Sequence, residues 1–294
     1  MKAPNFEEAT VQLVLDAKAK IGEAPTCLEA RQERVFVERQ GNVGTFSSLI
    51  DGDDAIAEGR DLLCQSRQEE GAALLGPQVA AIPEPLRRSA RFNDGKASPA
   101  GSFIVGTVHN QASEGRPGQL FHLAGGPSGP FDLVQVLSEE ELKMANGLCW
   151  MEGMQSMWHC DTYPGLIKEY RCDKHGAPDR NDDGTPACIN EIQVDKQDGI
   201  PDGMTIDSCG RLWVALFNGG ALACYDSKDG KELGKVQMPV RQPTCPVFGG
   251  PNLDIMYVTC KGEEPEEGAG GVFAVGIPGV RGTTASCPAK IQLA

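Results

Sequence analysis

The chain has 294 residues, with 41 acidic against 27 basic side chains and a formal net charge of −14. Such a charge repels phosphate backbones and anionic membrane surfaces, so the sequence predicts neither nucleic acid nor membrane as a partner. A hydrophobic fraction of 40% with 36 glycines suits a turn-rich globular protein rather than a helical bundle, and 6% aromatic residues leaves little for stacking surfaces.

Phe6 to Lys20 has some helical spacing, but Val11-Gln12-Leu13-Val14-Leu15 suits a strand equally well, and it is expected to complete the last blade of a ring. Gly22-Glu23-Ala24-Pro25 then sets one carboxylate between a glycine and an extended proline segment. From here a phrase recurs: a glycine or acidic turn, a short alternating apolar strand and a polar stop. It appears at 32–37, 100–105, 153–158, 208–214 and 252–258, with a fainter copy at 70–75. A second strand opened by glycine follows most copies, at Gly44, Gly118, Gly165, Gly220 and Gly271. Short strands and turns repeating every ~30 to 55 residues are the signature of propeller blades. An irregular β-sandwich would have no reason to repeat the phrase. About six copies predict an all-β, six-bladed β-propeller with a central metal site, in which ring closure protects the sheet edges, spanning 1–294 as one domain. Residues 51–90 are the weak region, with a charged stretch from Arg60 to Glu70. The acidic run Glu263-Glu264-Pro265-Glu266-Glu267 reads as a solvated loop.

Oxygen-bearing side chains sit just ahead of the repeated strands. Arg91-Phe92-Asn93-Asp94-Gly95-Lys96, Ala145-Asn146-Gly147-Leu148 and Ile200-Pro201-Asp202-Gly203-Met204 each set a carboxylate or carboxamide beside glycine. Taken singly, each is a turn. Asp202 stands apart because apolar Ile200 and Met204 flank it, so it risks desolvation unless a cation or donors meet it. Glu23, Asn93, Asn146 and Asp202 all precede the strand phrase by the same short distance, and as loops at one end of a propeller they are expected at one mouth of its channel. Two carboxylates and two carboxamides, with neither thiolate nor imidazole, suit calcium, magnesium or manganese better than zinc.

Other chemistries find little support. Asp179-Arg180-Asn181-Asp182-Asp183-Gly184 mimics the start of a calcium-binding helix-loop-helix, but the closing position is Asn190 rather than Glu191, and no helices are expected beside it. There is no Gly-x-Ser-x-Gly run, and His109, His122, His159 and His175 have no evident partners. The 11 cysteines are scattered singly without zinc-type spacing and read as reduced, small apolar residues. No apolar leader opens the chain and no apolar run is long enough to span a bilayer, which predicts a cytoplasmic protein, a monomer or weak homodimer.

These residues resemble the family of senescence marker protein, regucalcin, gluconolactonase and luciferin-regenerating enzyme. The likeness is densest at 91–107 and 200–260, with Asn146-Gly147-Leu148 and Cys160-Asp161-Thr162 between them; residues 51–90 are its gap. The resemblance implies a six-bladed propeller with one divalent cation, calcium, magnesium, manganese or zinc, that hydrolyses sugar lactones. It implies metal ligands at Glu23, Asn146 and Asp202, substrate contacts at Arg91 and Asn93, and Asp202 as the proposed base. Gln111 stands where animal members carry a substrate-contacting Glu and is expected to bond sugar hydroxyls here. Thr26-Cys27 follows Pro25 where an aromatic is common, and Phe36-Val37-Glu38 replaces a more usual Trp-Val-Asp ending. The competing expectation is a non-catalytic, calcium-binding regulatory protein of the regucalcin type; hydrolysis of organophosphates or aromatic lactones, and a metal-free interaction propeller, follow behind it.

Overall fold

In the computed structural model, residues 3–15, 86, 89–100, 102–109, 117–123, 132–262 and 265–283 are described with their side chains, and residue 124 and the strands at 22–28, 33–38, 45–48, 62–69 and 72–81 by backbone alone. Strands dominate; the helical turns among the described residues are short 3-10 segments at Phe6–Glu8, Glu152–Met154 and Lys196–Asp198. The segment with some helical spacing thus divides into one such turn and a strand, β1 (Thr10–Leu15). The β-branched and leucine residues of Thr10–Leu15 favour the pleat over the helix.

The strands assemble in chain order into successive antiparallel sheets. First come β2 (Gly22–Leu28), β3 (Glu33–Glu38) and β4 (Thr45–Ser48), followed by the pair β5 (Leu62–Glu69) and β6 (Ala72–Ala81). A four-stranded sheet then forms from β7 (Ala90–Ala97), β8 (Phe103–His109), β9 (Leu120–Ala124) and β10 (Asp132–Leu137). The next contains β11 (Ala145–Trp150), β12 (Ser156–Asp161), β13 (Leu166–Arg171) and β14 (Cys188–Gln193). After it come β15 (Ile200–Ile206), β16 (Arg211–Phe217), β17 (Ala221–Asp226) and β18 (Glu232–Gln237). The last sheet holds β19 (Pro243–Gly249), β20 (Ile255–Cys260) and β21 (Val272–Gly276), and β1 is its fourth strand, with Thr10 opposite Gly276 and Leu13 opposite Phe273.

The architecture is an all-β propeller. Four sheets with the four strands of a complete blade are found among the described residues, where six were predicted; the other two sheets have three and two strands. The two smaller sheets lie between residues 22 and 81, and β5 runs through the charged stretch from Arg60 to Glu70.

The strands β2, β7, β11, β15 and β19 lie innermost. β7 packs beside β11, β11 beside β15, β15 beside β19, and β2 lies against both β19 and β7. Burial follows this order: β7, β11 and β19 are buried at every residue, whereas the outer strands β14 and β18 are mostly exposed. Between sheets the side chains interdigitate into apolar layers. Trp158, Cys160 and Ile167 meet Met204, Leu212, Val214 and Leu216, while Trp213 and Phe248 share a layer with Val258, Phe273 and Val275, against which Val11 and Leu13 of β1 pack. Trp150, Trp158 and Trp213 are fully buried, and truncating a core aromatic of that size costs about 3–5 kcal/mol.

Candidate active site at the innermost strands

Asn93, Asn146 and Asp202, expected on turns ahead of the strands, lie inside the innermost strands themselves. Asn-Gly and Asp-Gly are turn signals, and here the same pairs mark breaks in the ladder. The pairing of β7 with β8 skips between Phe92 and Gly95, that of β11 with β12 between Ala145 and Leu148, and that of β15 with β16 between Pro201 and Met204. The ladder of β2 with β3 skips between Glu23 and Thr26, where Ala24 and Pro25 are the unpaired residues; Glu23 itself pairs with Val37, one place before the positions of Asn93, Asn146 and Asp202. A bulge bends the strand and re-aims its side chains, and bulges gather beside active sites for that reason. The side chains of Glu23 and Gln111 lie outside the described residues.

The bulged strands approach one another too closely for any residue but glycine. A Cβ at Gly147 would lie 2.5 Å from the Asp202 carbonyl oxygen and 2.6 Å from the Met204 nitrogen. Asn146 and Asp202 are thereby neighbours, although 56 residues (146 to 202) separate them in sequence. A threonine couples them. Thr162 Oγ1 donates to the Pro201 carbonyl at 2.8 Å and accepts from Asn146 Nδ2 at 3.0 Å. Because its proton is committed to Pro201, the hydroxyl can only accept from the carboxamide, which fixes the amide nitrogen toward Thr162 and the amide oxygen away from it. Asp161, just before it, accepts from the backbone N–H groups of Lys143 and Met144 and so shapes the entry into β11; burial nonetheless pushes its carboxyl up.

Arg91 and Asn93 form a second pair. Arg91 Nη1 donates to the Phe92 carbonyl at 3.1 Å and to Asn93 Oδ1 at 3.2 Å, and Asn93 Nδ2 donates to the Ala145 carbonyl at 2.8 Å. Asn93 thus joins the guanidinium to the strand that carries Asn146. Lys96, from the same run, is buried with 6% exposure, and its Nζ donates to the carbonyls of Leu148 and Met204, each at 3.2 Å. Neither Thr162 nor Lys96 was assigned a role from sequence: each acts on partners that only the packing of β7, β11 and β15 brings near.

The thiols nearby do not offer an alternative ligand set. Cys149, Cys160 and Cys245 are buried and form no disulfide, and burial pushes Cys149 to about 12 and Cys160 well up, keeping both protonated. His159 is fully buried and lowered to about 3, first by burial and then by Lys168, so its ring is neutral. No group of three or more His, Cys, Asp or Glu side chains able to hold a metal converges among the described residues. Asn146 and Asp202 lie on strands that a glycine-only approach brings together, and a carboxamide and a carboxylate are oxygen donors of the type that suits a hard cation.

The residues 22–262 match the family model of the SMP-30/Gluconolactonase/LRE-like region. The chain belongs to this family. It is 30% identical to regucalcin of Pongo abelii over 290 residues, covering 96% of this chain and 92% of that one. A Bacillus subtilis (strain 168) protein provisionally named sugar lactone lactonase YvrE is 33% identical over 199 residues, 65% of this chain and 64% of that protein. Among solved structures, a luciferin-regenerating enzyme superposes with a TM-score of 0.72 at 25% identity, covering 96% of this chain and 99% of that one. A regucalcin from Agrobacterium tumefaciens strain C58, described as a calcium-binding protein, superposes with a TM-score of 0.71 at 21% identity, over 93% and 95% of the two chains. Family membership thus groups the chain with both lactonase-named and regucalcin-named proteins. No helix among the described residues is long and apolar enough to cross a membrane.

Proposed function

We propose that this chain is a metal-dependent hydrolase that opens a sugar lactone. The reading takes 1–294 as a single six-bladed propeller in which β2–β4 and β5–β6 belong to the two remaining blades. The observation that carries it is the tie between the bulges of Asn146 and Asp202: Thr162 joins the Asn146 carboxamide to the Pro201 carbonyl beside Asp202, and the two strands meet at Gly147, where a Cβ would strike the Asp202 and Met204 backbone.

In this reading Glu23, Asn146 and Asp202 hold one divalent cation, of which calcium, magnesium and manganese suit the donors best. A cation bound there would polarise the lactone carbonyl and stabilise the negative charge that develops as water attacks. Arg91 keeps the rest of its planar fork for an oxygen of the substrate while Nη1 is tied to Asn93. Asn93 sets the guanidinium's direction and, with Gln111, meets the sugar hydroxyls. Asp202 orients the attacking water and accepts its hydrogen bond. The water oxygen bonds to the carbonyl carbon, the ring carbon–oxygen bond breaks, and the water's proton ends on the departing ring oxygen, leaving the open hydroxy acid.

The regucalcin-named relatives favour a second reading, calcium binding without turnover. It gives no account of the buried Arg91–Asn93 pair, which cation storage does not need. The deciding experiment is hydrolysis of gluconolactone and galactonolactone by purified protein before and after chelation, paired with elemental analysis. Chelator-sensitive turnover restored by a divalent ion is expected. A protein that binds the ion but opens no aldonolactone with any divalent metal belongs to the second reading.

A further inference from the structure

We propose that Lys96 is a resident cation of the channel, an ammonium fixed beyond the Asn146–Asp202 pair that weakens, and so tunes, the hold of that site on a divalent ion. The inference rests on the metal reading above and goes beyond it, because it assigns a role to a side chain that the ligand set does not include.

Three observations carry it. Lys96 Nζ reaches from β7 to the Leu148 carbonyl on β11 and the Met204 carbonyl on β15, so one side chain spans three sheets. Leu148 and Met204 each lie two residues past Asn146 and Asp202 on their strands, which puts Nζ about 7 Å along the strand direction from the ligand positions. Finally, two carbonyl oxygens accept from two of the ammonium's three N–H donors without neutralising its charge. A permanent positive charge at that range repels a divalent ion through a water-poor interior.

The sign of the effect separates this role from a structural one. Glutamine keeps donors for the carbonyls and removes the charge; arginine keeps the charge. In calcium titrations of chelator-treated protein by calorimetry, K96Q is expected to bind Ca²⁺ about tenfold or more tightly than the unaltered chain, and K96R within about threefold of it. Equal or weaker binding by K96Q would overturn the proposal. Loss of cooperative melting in K96Q but not in K96R would also overturn it, by assigning Lys96 to holding the strands together. If the unaltered chain takes up neither Ca²⁺ nor Mn²⁺, the metal reading of the site fails first; if it binds them and K96Q does not gain, only the role of Lys96 fails.

Discussion

Asn146-Gly147 and Asp202-Gly203 lie in buried strands, whereas Asp179-Arg180-Asn181-Asp182-Asp183-Gly184 carries more side-chain oxygen per residue and lies in an exposed loop between β13 and β14. The loop uses its oxygens on itself. Asp183 Oδ1 accepts from the Thr185 backbone at 2.9 Å and its hydroxyl at 2.6 Å, Asp179 Oδ2 accepts from Arg171, and Arg180 Nη1 and Nη2 clasp the Glu141 carboxylate at 2.8 and 3.1 Å. The inner strands instead break their ladders at Asn93, Asn146 and Asp202, inside the buried core of the ring. A count of oxygen atoms in sequence therefore says little; what distinguishes the two regions is where the strands and loops place those oxygens and how deeply they are buried.

The largest effect should separate the two aspartates. Asp202→Asn is expected to lower lactone turnover about a thousandfold with an unchanged melting transition, whereas Asp183→Asn should leave turnover intact and shift stability by no more than about 0.5 kcal/mol. Parallel rate and melting measurements decide it, and substantial turnover by the Asp202 variant removes that residue from the chemistry. Next comes Thr162→Val, which frees the Asn146 carboxamide to turn. It should weaken divalent-ion binding about 10- to 100-fold, Thr162→Ser should restore it, and turnover of the valine variant should recover at high metal concentration.

The glycines sharpen the contrast further because each is required for a different reason. Gly184 has a φ of +84° and open space around it, so alanine there meets only the left-handed backbone penalty, about 1 kcal/mol. Gly147 needs no positive φ, but its Cβ would strike the Asp202 and Met204 backbone. Gly147→Ala is expected to cost about 3 kcal/mol in a denaturant titration and to lower turnover as well.

The smallest effect belongs to the loop's ion pair. Arg180→Ala should cost about 0.2–1 kcal/mol at neutral pH, as partly exposed pairs do. Glu141's carboxyl is held below its ordinary value first by the hydrogen bond from Arg180, with burial opposing. Because the folded carboxyl titrates lower than the unfolded one, the stabilisation is complete above the unfolded value, near pH 4.3, and is lost as pH falls through the folded value. Urea midpoints of the two proteins should differ at pH 7 and converge below about pH 4.

Much of the frame is legible in the sequence because the second strands of the sheets are short apolar runs opened by turn residues: the recurring phrases at 153–158, 208–214 and 252–258 run into β12, β16 and β20. The innermost strands read instead as turns. Buried on both faces, Ile200-Pro201-Asp202-Gly203-Met204 has no polar face to alternate with, and its proline and glycine are ordinarily punctuation. The outermost strands β14 and β18 escaped notice for the opposite reason, since water covers most of their residues and leaves no apolar rhythm. Site residues could be named where a short motif carries them, as at Asn146 and Asp202. Thr162 and Lys96 could not, since their roles are defined by carbonyls on strands 39 to 108 residues away.

The pairing of Thr10–Leu15 with Val272–Gly276 has a bearing on how the molecule comes to exist. During synthesis the early segment must wait, unpartnered, until the far end of the chain emerges, so this seam closes late and its long loop slows folding. Clipping that segment would bare the backbone of Val272–Gly276 as a pairing edge, and two trimmed molecules could then zip together along it.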